Sequence, residues 1–290
     1  MKLSLPSPRR SPQVTQLAAG EPLLSVTDLH VHYGLIPALR GVTLEVRPGE
    51  MVALLGANGA GKTTTLRAIS GLIKPRSGAI MFNGERIDGA APTDVVRRGI
   101  AHLPEGRDLF PGLTVKENLR YGAWPVRRDR RGFHDRLESV YDAFPKLKER
   151  SGQKAGTLSG GEQQMLGVGI ALMSNPKLLI IDELSLGLAP LIVSTLFEEL
   201  QRVNSLGTAV LLVEQFVPLA LANTDRAYVL AKGEVQLCGS SSDLADDPAL
   251  VASYLGGGAP TTTAPVKRAP RRRKVPVPVP TPAGDSEGQS

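Results

Sequence analysis

The stretch Gly56-Ala57-Asn58-Gly59-Ala60-Gly61-Lys62-Thr63 constrains this chain more than any other, because it matches G-x-x-x-x-G-K-[ST]. A short apolar run, Met51–Leu55, leads into it, and a helical pattern follows Lys62. Strand, glycine-rich loop and helix in that order let backbone N–H groups curl around a phosphate at the positive end of the helix. In such a loop Lys62 reaches the β- and γ-phosphates, and the Thr63 hydroxyl sits on Mg²⁺. Residues Gly56 to Thr64 are therefore the expected nucleotide-binding stretch, with ATP and Mg²⁺ as cofactors.

A second apolar run, Leu178-Leu-Ile-Ile-Asp182-Glu183, supplies what this loop needs downstream. As a buried strand it delivers Asp182 to its C-terminal edge, where the carboxylate can hold Mg²⁺ through water. Glu183 is then placed to polarise an attacking water. Leu24–His30, Val42–Val46 and Met51–Leu55 read as short strands. The strand Leu178–Asp182, a helix near Ile192–Asn204 and the strand Ala209–Glu214 restore the alternation of a parallel sheet. Residues 106–175 read as mostly helical, over Val115–Trp124, Phe133–Phe144 and Glu162–Met173. Residues 226–239 read as a hairpin around Lys232-Gly233-Glu234, and there is no internal repeat. The fold class is α/β.

Charge matters here because it removes a reading. The formal net charge is +6, but residues 1–20 carry three basic residues and no acid. Residues 259–290 carry six basic residues against Asp285 and Glu287, which leaves residues 21–258 at −1. Nucleic acid is not an expected partner of a near-neutral folded part. Residues 1–21, rich in Pro and Ser, are expected to be a disordered extension. So are residues 259–290, with Arg271-Arg-Arg-Lys274 and repeated Val-Pro pairs, so that 22–258 forms one nucleotide-binding domain. A single cysteine, Cys238, excludes an intramolecular disulfide and fits a reducing compartment. No apolar run approaches the roughly 18–20 residues of a membrane-spanning helix, and the N-terminus lacks a signal-peptide pattern.

Leu158-Ser159-Gly160-Gly161-Glu162-Gln163 resembles the LSGGQ signature of ABC cassettes, with Glu162 in place of the usual Gln. The resemblance implies a P-loop NTPase with a RecA-like parallel-sheet core, an antiparallel β subdomain and a helical signature subdomain. It also implies that two cassettes sandwich ATP head to tail, so that Ser159, Gly160, Gly161 and Glu162 meet nucleotide held by the partner's loop. Tyr33 aligns with the aromatic on which such cassettes stack adenine. Leu103-Pro104-Glu105-Gly106-Arg107 occupies the Q-loop region, with Glu105 at the usual Gln. Ser185-Leu-Gly-Leu-Ala-Pro190 fills the D-loop, with Ala189 at the usual Asp, and Gln215 replaces the switch His. The catalytic set implied is Glu183, Gln215 and Glu105.

Together these variants resemble the LivF-type ATPase of branched-chain amino-acid importers, from about residue 23 to Leu255. The resemblance implies separate transmembrane permease subunits, a second related cassette (or a second copy of this chain) and, indirectly, an extracytoplasmic substrate-binding protein. It places the chain peripherally at the cytoplasmic face of the cell membrane. Urea and short-amide importers use similar cassettes, and lipid or lipopolysaccharide exporters share much of this sequence. Three positions depart from the family: Leu184 replaces a proline, Ile170 an arginine and Phe216 an asparagine. Proline fixes φ and leucine does not, so Leu184 is expected to loosen the backbone that aims Glu183. A catalytically slow regulatory subunit is the alternative this raises.

Overall fold

The computed structural model describes residues 20–106, 109–127 and 129–246. The expected extensions lie outside these residues, apart from Gly20 and Glu21, and so does Arg107. The strands are β1 Leu24–Tyr33, β2 Ile36–Val46, β3 Met51–Gly56, β4 Ser77–Phe82, β5 Glu85–Arg86, β6 Ile100–Leu103, β7 Leu178–Asp182, β8 Ala209–Glu214, β9 Arg226–Ala231 and β10 Glu234–Ser240. The α-helices are α1 Lys62–Ile69, α2 Pro92–Arg98, α3 Val115–Gly122, α4 Arg130–Ala143, α5 Pro145–Glu149, α6 Gly160–Leu172, α7 Pro190–Ser205, α8 Val217–Asn223 and α9 Ser241–Ala245.

Two sheets form. One is antiparallel with order β2-β1-β4-β5, and the other has order β10-β9-β3-β8-β7-β6. In the second, β9, β3, β8, β7 and β6 pair in parallel, and only β10 runs antiparallel, against β9. The central parallel strands β3, β7 and β8 are buried along their whole length and apolar up to their last residue, because both faces are covered. Their side chains alternate between layers. Leu178 and Ile180 of β7 join one core with Ala209, Leu211 and Val213 of β8. Leu179, Ile181, Val210 and Leu212 point the other way, into a core shared with α3, α6 and α7. This is the P-loop fold expected, with its antiparallel subdomain on one side and the helices from α3 to α6 carrying the signature.

Sheet order sets the site. β8 lies between β3 and β7, and the registers pair Leu55 with Glu214 and Asp182 with Val213. The C-terminal ends of three adjacent parallel strands therefore bring Gly56, Glu214 and Asp182 to one edge. Ligands bind at that edge in open α/β sheets.

Candidate functional site

Backbone geometry forces glycine into the loop after β3. A Cβ on Gly56 would lie 2.5 Å from the Leu230 carbonyl oxygen on β9. Gly61 has φ 111° and approaches Leu39, whose Cδ2 would be 2.6 Å from an added Cβ. Gly61 also opens α1, which has no side-chain cap and no acidic residue in its first turn. By contrast α3 and α6 are closed by capping boxes, Thr114 with Glu117 and Ser159 with Glu162. The uncapped N–H groups of α1 are thus left for an anion, favoured there by the helix dipole.

Lys62 folds back over this loop. Its Nζ donates to the carbonyls of Gly56 at 2.8 Å and Ala57 at 3.2 Å. Burial lowers its pKa, while Glu183 and Asp182 act to raise it. Asp182 is almost fully buried, and burial pushes its carboxyl up. A hydrogen bond from Thr63 opposes that shift, and Glu183 and Glu105 reinforce it. One oxygen, Asp182 Oδ1, is buried without a hydrogen-bond partner among the described residues. Such an oxygen is costly to leave unmet and fits a cation.

Glu183 follows Asp182 in the left-handed region, at φ 53°. That conformation costs of order 1–3 kcal/mol in a non-glycine residue and is characteristic of functional sites. Its Oε1 accepts from Gln215 Nε2 at 2.6 Å, and its amide donates to Val213 O at 3.0 Å. A cleft of about 660 Å³ collects these groups. Tyr33, Asn58, Gly59, Gly61, Lys62, Thr63, Thr64, Glu105, Glu183 and Gln215 line it. Tyr33 is half-exposed at its rim, with its hydroxyl 3.4 Å from Thr64 Oγ1. Gly56 and Ala60 form the buried floor of the loop, and Ala57 is exposed at its outer turn.

Ser159, Gly160, Gly161 and Glu162 do not line the cleft. They form the first turn of α6, where the Ser159 hydroxyl donates to Glu162 Oε2 at 2.8 Å and Arg150 Nε lies 3.1 Å from Glu162 Oε1. Burial acts to raise the Glu162 pKa, but the Ser159 amide and hydroxyl and the Arg150 charge outweigh it and leave it lowered. Gly161 is required by packing, since a Cβ there would lie 2.5 Å from Ile192 Cγ2 on α7. Two further cations, Arg40 and Lys232, line the cleft and were missed from sequence. Lys232 arrives through the β9–β10 turn, whose Gly233 amide donates to Ala60 O at 2.9 Å. The Lys232-Gly233 hairpin signal was visible, but the parallel pairing of β9 with β3 was not.

Leu184 is not loose. Its side chain is 1% exposed, in the core between the sheet and α7. Packing anchors the position that proline would fix through its ring. Leu184→Ala is expected to cost about 2–5 kcal/mol of stability, read from the urea midpoint of the full chain. A loss below about 1 kcal/mol would show that the side chain anchors nothing. Ile170 is partly buried against the same core, and Phe216 is exposed beside Gln215.

A nucleotide-sized cleft at the strand ends, a glycine loop with its lysine, a buried Asp182 and the cleft-lining Glu183 beside it define a P-loop nucleotide hydrolase. Residues 39–185 match the family model described as ABC transporter. The chain is 45% identical over 235 residues to BraG of Pseudomonas aeruginosa, a high-affinity branched-chain amino acid transport ATP-binding protein. That alignment covers 81% of this chain and 100% of the relative. It is 36% identical to a probable LivF of Archaeoglobus fulgidus, covering 77% and 94% of the two chains. A solved ATP-binding subunit of an ABC transporter superposes with a TM-score of 0.70 at 35% identity, covering 81% and 96%. The chain belongs to the ABC transporter family, as an ATP-hydrolysing cassette. No helix among the described residues is long and apolar enough to cross a membrane.

Proposed function

We propose that this chain hydrolyses ATP to energise import of branched-chain amino acids, or related small amides or urea, through separate membrane subunits. The similarity to BraG over that relative's whole length carries this reading. On it, residues 22–258 are the nucleotide-binding domain, peripheral to the cytoplasmic face of the membrane. Backbone amides from Asn58 to Thr64 and the Lys62 ammonium hold the phosphates, and Tyr33 faces the adenine. Thr63 and Asp182 would hold Mg²⁺, which would supply neutralisation of phosphate charge. Glu183, steadied by Gln215, takes the proton of the attacking water, and Glu105 lines the same cleft.

Because Ser159, Gly160, Gly161 and Glu162 stand outside the cleft, this reading completes the site with a second cassette, a related chain or another copy, docked head to tail. Membrane subunits would meet the face after Glu105, where Phe110 and Tyr121 are both exposed with ring centroids 4.5 Å apart. An extracytoplasmic binding protein would deliver the cargo without touching this chain.

Uptake tests the reading. Cells lacking this chain should lose saturable uptake of labelled leucine, and the full chain should restore it while Lys62→Ala should not. Unchanged leucine, isoleucine and valine uptake in the deletion strain would reject the amino-acid cargo.

A further inference from the structure

Glu214 is 1% exposed, yet it carries an ionisable side chain at the end of β8. Burial pushes its pKa up, the Ser185 hydroxyl and amide act against that, and Glu183 adds to it. Both of its oxygens engage Ser185, and the Gln215 backbone amide also donates to the carboxylate. Oε1 accepts from the Ser185 amide at 3.0 Å, and Oε2 accepts from the Ser185 hydroxyl at 2.6 Å. Ser185 stands two residues beyond Glu183, and Gln215, next after Glu214, donates to Glu183 Oε1 at 2.6 Å. The Glu183 amide closes the ring by donating to Val213 O at 3.0 Å. Residues 213, 214 and 215 of one strand end thus hold residues 183 and 185 of its neighbour at four points.

A buried carboxylate is unfavourable unless its hydrogen bonds are met, so packing alone would be served better by an apolar residue such as its neighbour Val213. A left-handed glutamate persists only where its surroundings over-determine it. The geometry points to Glu214 as a positioning residue: its two-pronged hold on Ser185 fixes the turn from Asp182 to Ser185 and aims the Glu183 carboxylate into the cleft. This rests on the reading of Glu183 as the group that takes the proton of water.

The test uses the full chain in the transporter complex purified through a tag on it, with Mg-ATP as substrate. Ser185→Ala removes one prong and Glu214→Gln weakens both. The expected result is a kcat lowered roughly 10-fold by Ser185→Ala and 10- to 100-fold by Glu214→Gln, with KM for ATP within about twofold of wild type. Ser185→Ala should not lower the residual single-turnover rate of Glu183→Gln any further, because both act through one side chain. If Glu214→Gln does not fold, Ser185→Ala decides alone. Normal kcat in Ser185→Ala beside an inactive Glu183→Gln overturns the clamp only, as does an equal further loss in the double variant. Wild-type turnover by Glu183→Gln overturns the underlying reading, and the clamp with it.

Discussion

Lys62→Ala is expected to abolish measurable ATP turnover and to weaken ATP binding about 10- to 150-fold, the equivalent of losing roughly 1.5–3 kcal/mol from one charge-assisted phosphate contact. Three observations set the direction. The ammonium is almost fully buried beside an uncapped helix start, where no acidic side chain of α1 competes with a phosphate for it. It is the cation nearest in sequence to the phosphate loop, and its charge interacts with both Asp182 and Glu183. Alanine leaves the Gly56 and Ala57 carbonyls without the donor that now meets them at 2.8 and 3.2 Å. The loop would then lose shape as well as charge. The turnover loss exceeds the binding loss because negative charge spreads over the γ-phosphoryl oxygens as the bond breaks. Calorimetric titration of the full chain with ATP, paired with phosphate release by the assembled transporter, checks both halves. Near-normal turnover would remove this loop from the chemistry.

Much of the site was legible because its residues are consecutive. The stretch from Gly56 to Thr64 and the Asp182-Glu183 pair announce themselves by local spacing, and the buried strands β7 and β8 read as uninterrupted apolar runs with the ends observed. Legibility failed where pairing is long-range or the surface is mixed. β2 was expected over Val42–Val46 but begins at Ile36, running through Pro37 and Gly41. An edge strand tolerates both, and β2 is the edge of its sheet. α6 begins at Gly160, two residues before the expected Glu162, because the Ser159–Glu162 capping box brings both glycines into the first turn. Helix α4 likewise extends back to Arg130 behind an Asp129 cap. Arg40, Lys232 and the Glu214–Ser185 contact lay out of reach, because each depends on which strands are neighbours in the sheet. Leu184 shows the complementary failure. Its propensity argument ignored a tertiary anchor, and burial restores the order that the missing ring would have given.

Glu183→Gln should bind ATP within about twofold of the wild-type affinity yet hydrolyse it 10²- to 10⁴-fold more slowly, the range a positioned general base contributes. The substitution keeps the size of the side chain and an amide oxygen able to accept from Gln215 Nε2, which now lies 2.6 Å from Glu183 Oε1. It also keeps the backbone bond to Val213 O and leaves the phosphate contacts of Lys62 and the loop untouched. Only the capacity to take a proton is lost. Removing this charge also relieves Asp182 and Glu214, since Glu183 acts to raise the pKa of both. Nucleotide binding should therefore not suffer from the change. With ATP held and not consumed, the paired cassettes have no route to open, and an ATP-dependent dimer should persist through size-exclusion chromatography, where the wild type separates as it turns over. On the proposed head-to-tail pairing the partner must be present for that species to form, because Ser159 and Gly161 lie outside the cleft they would complete. Rapid hydrolysis by Glu183→Gln would show that the proton leaves by another group. The strained φ of 53° at residue 183 would then need an explanation other than catalysis.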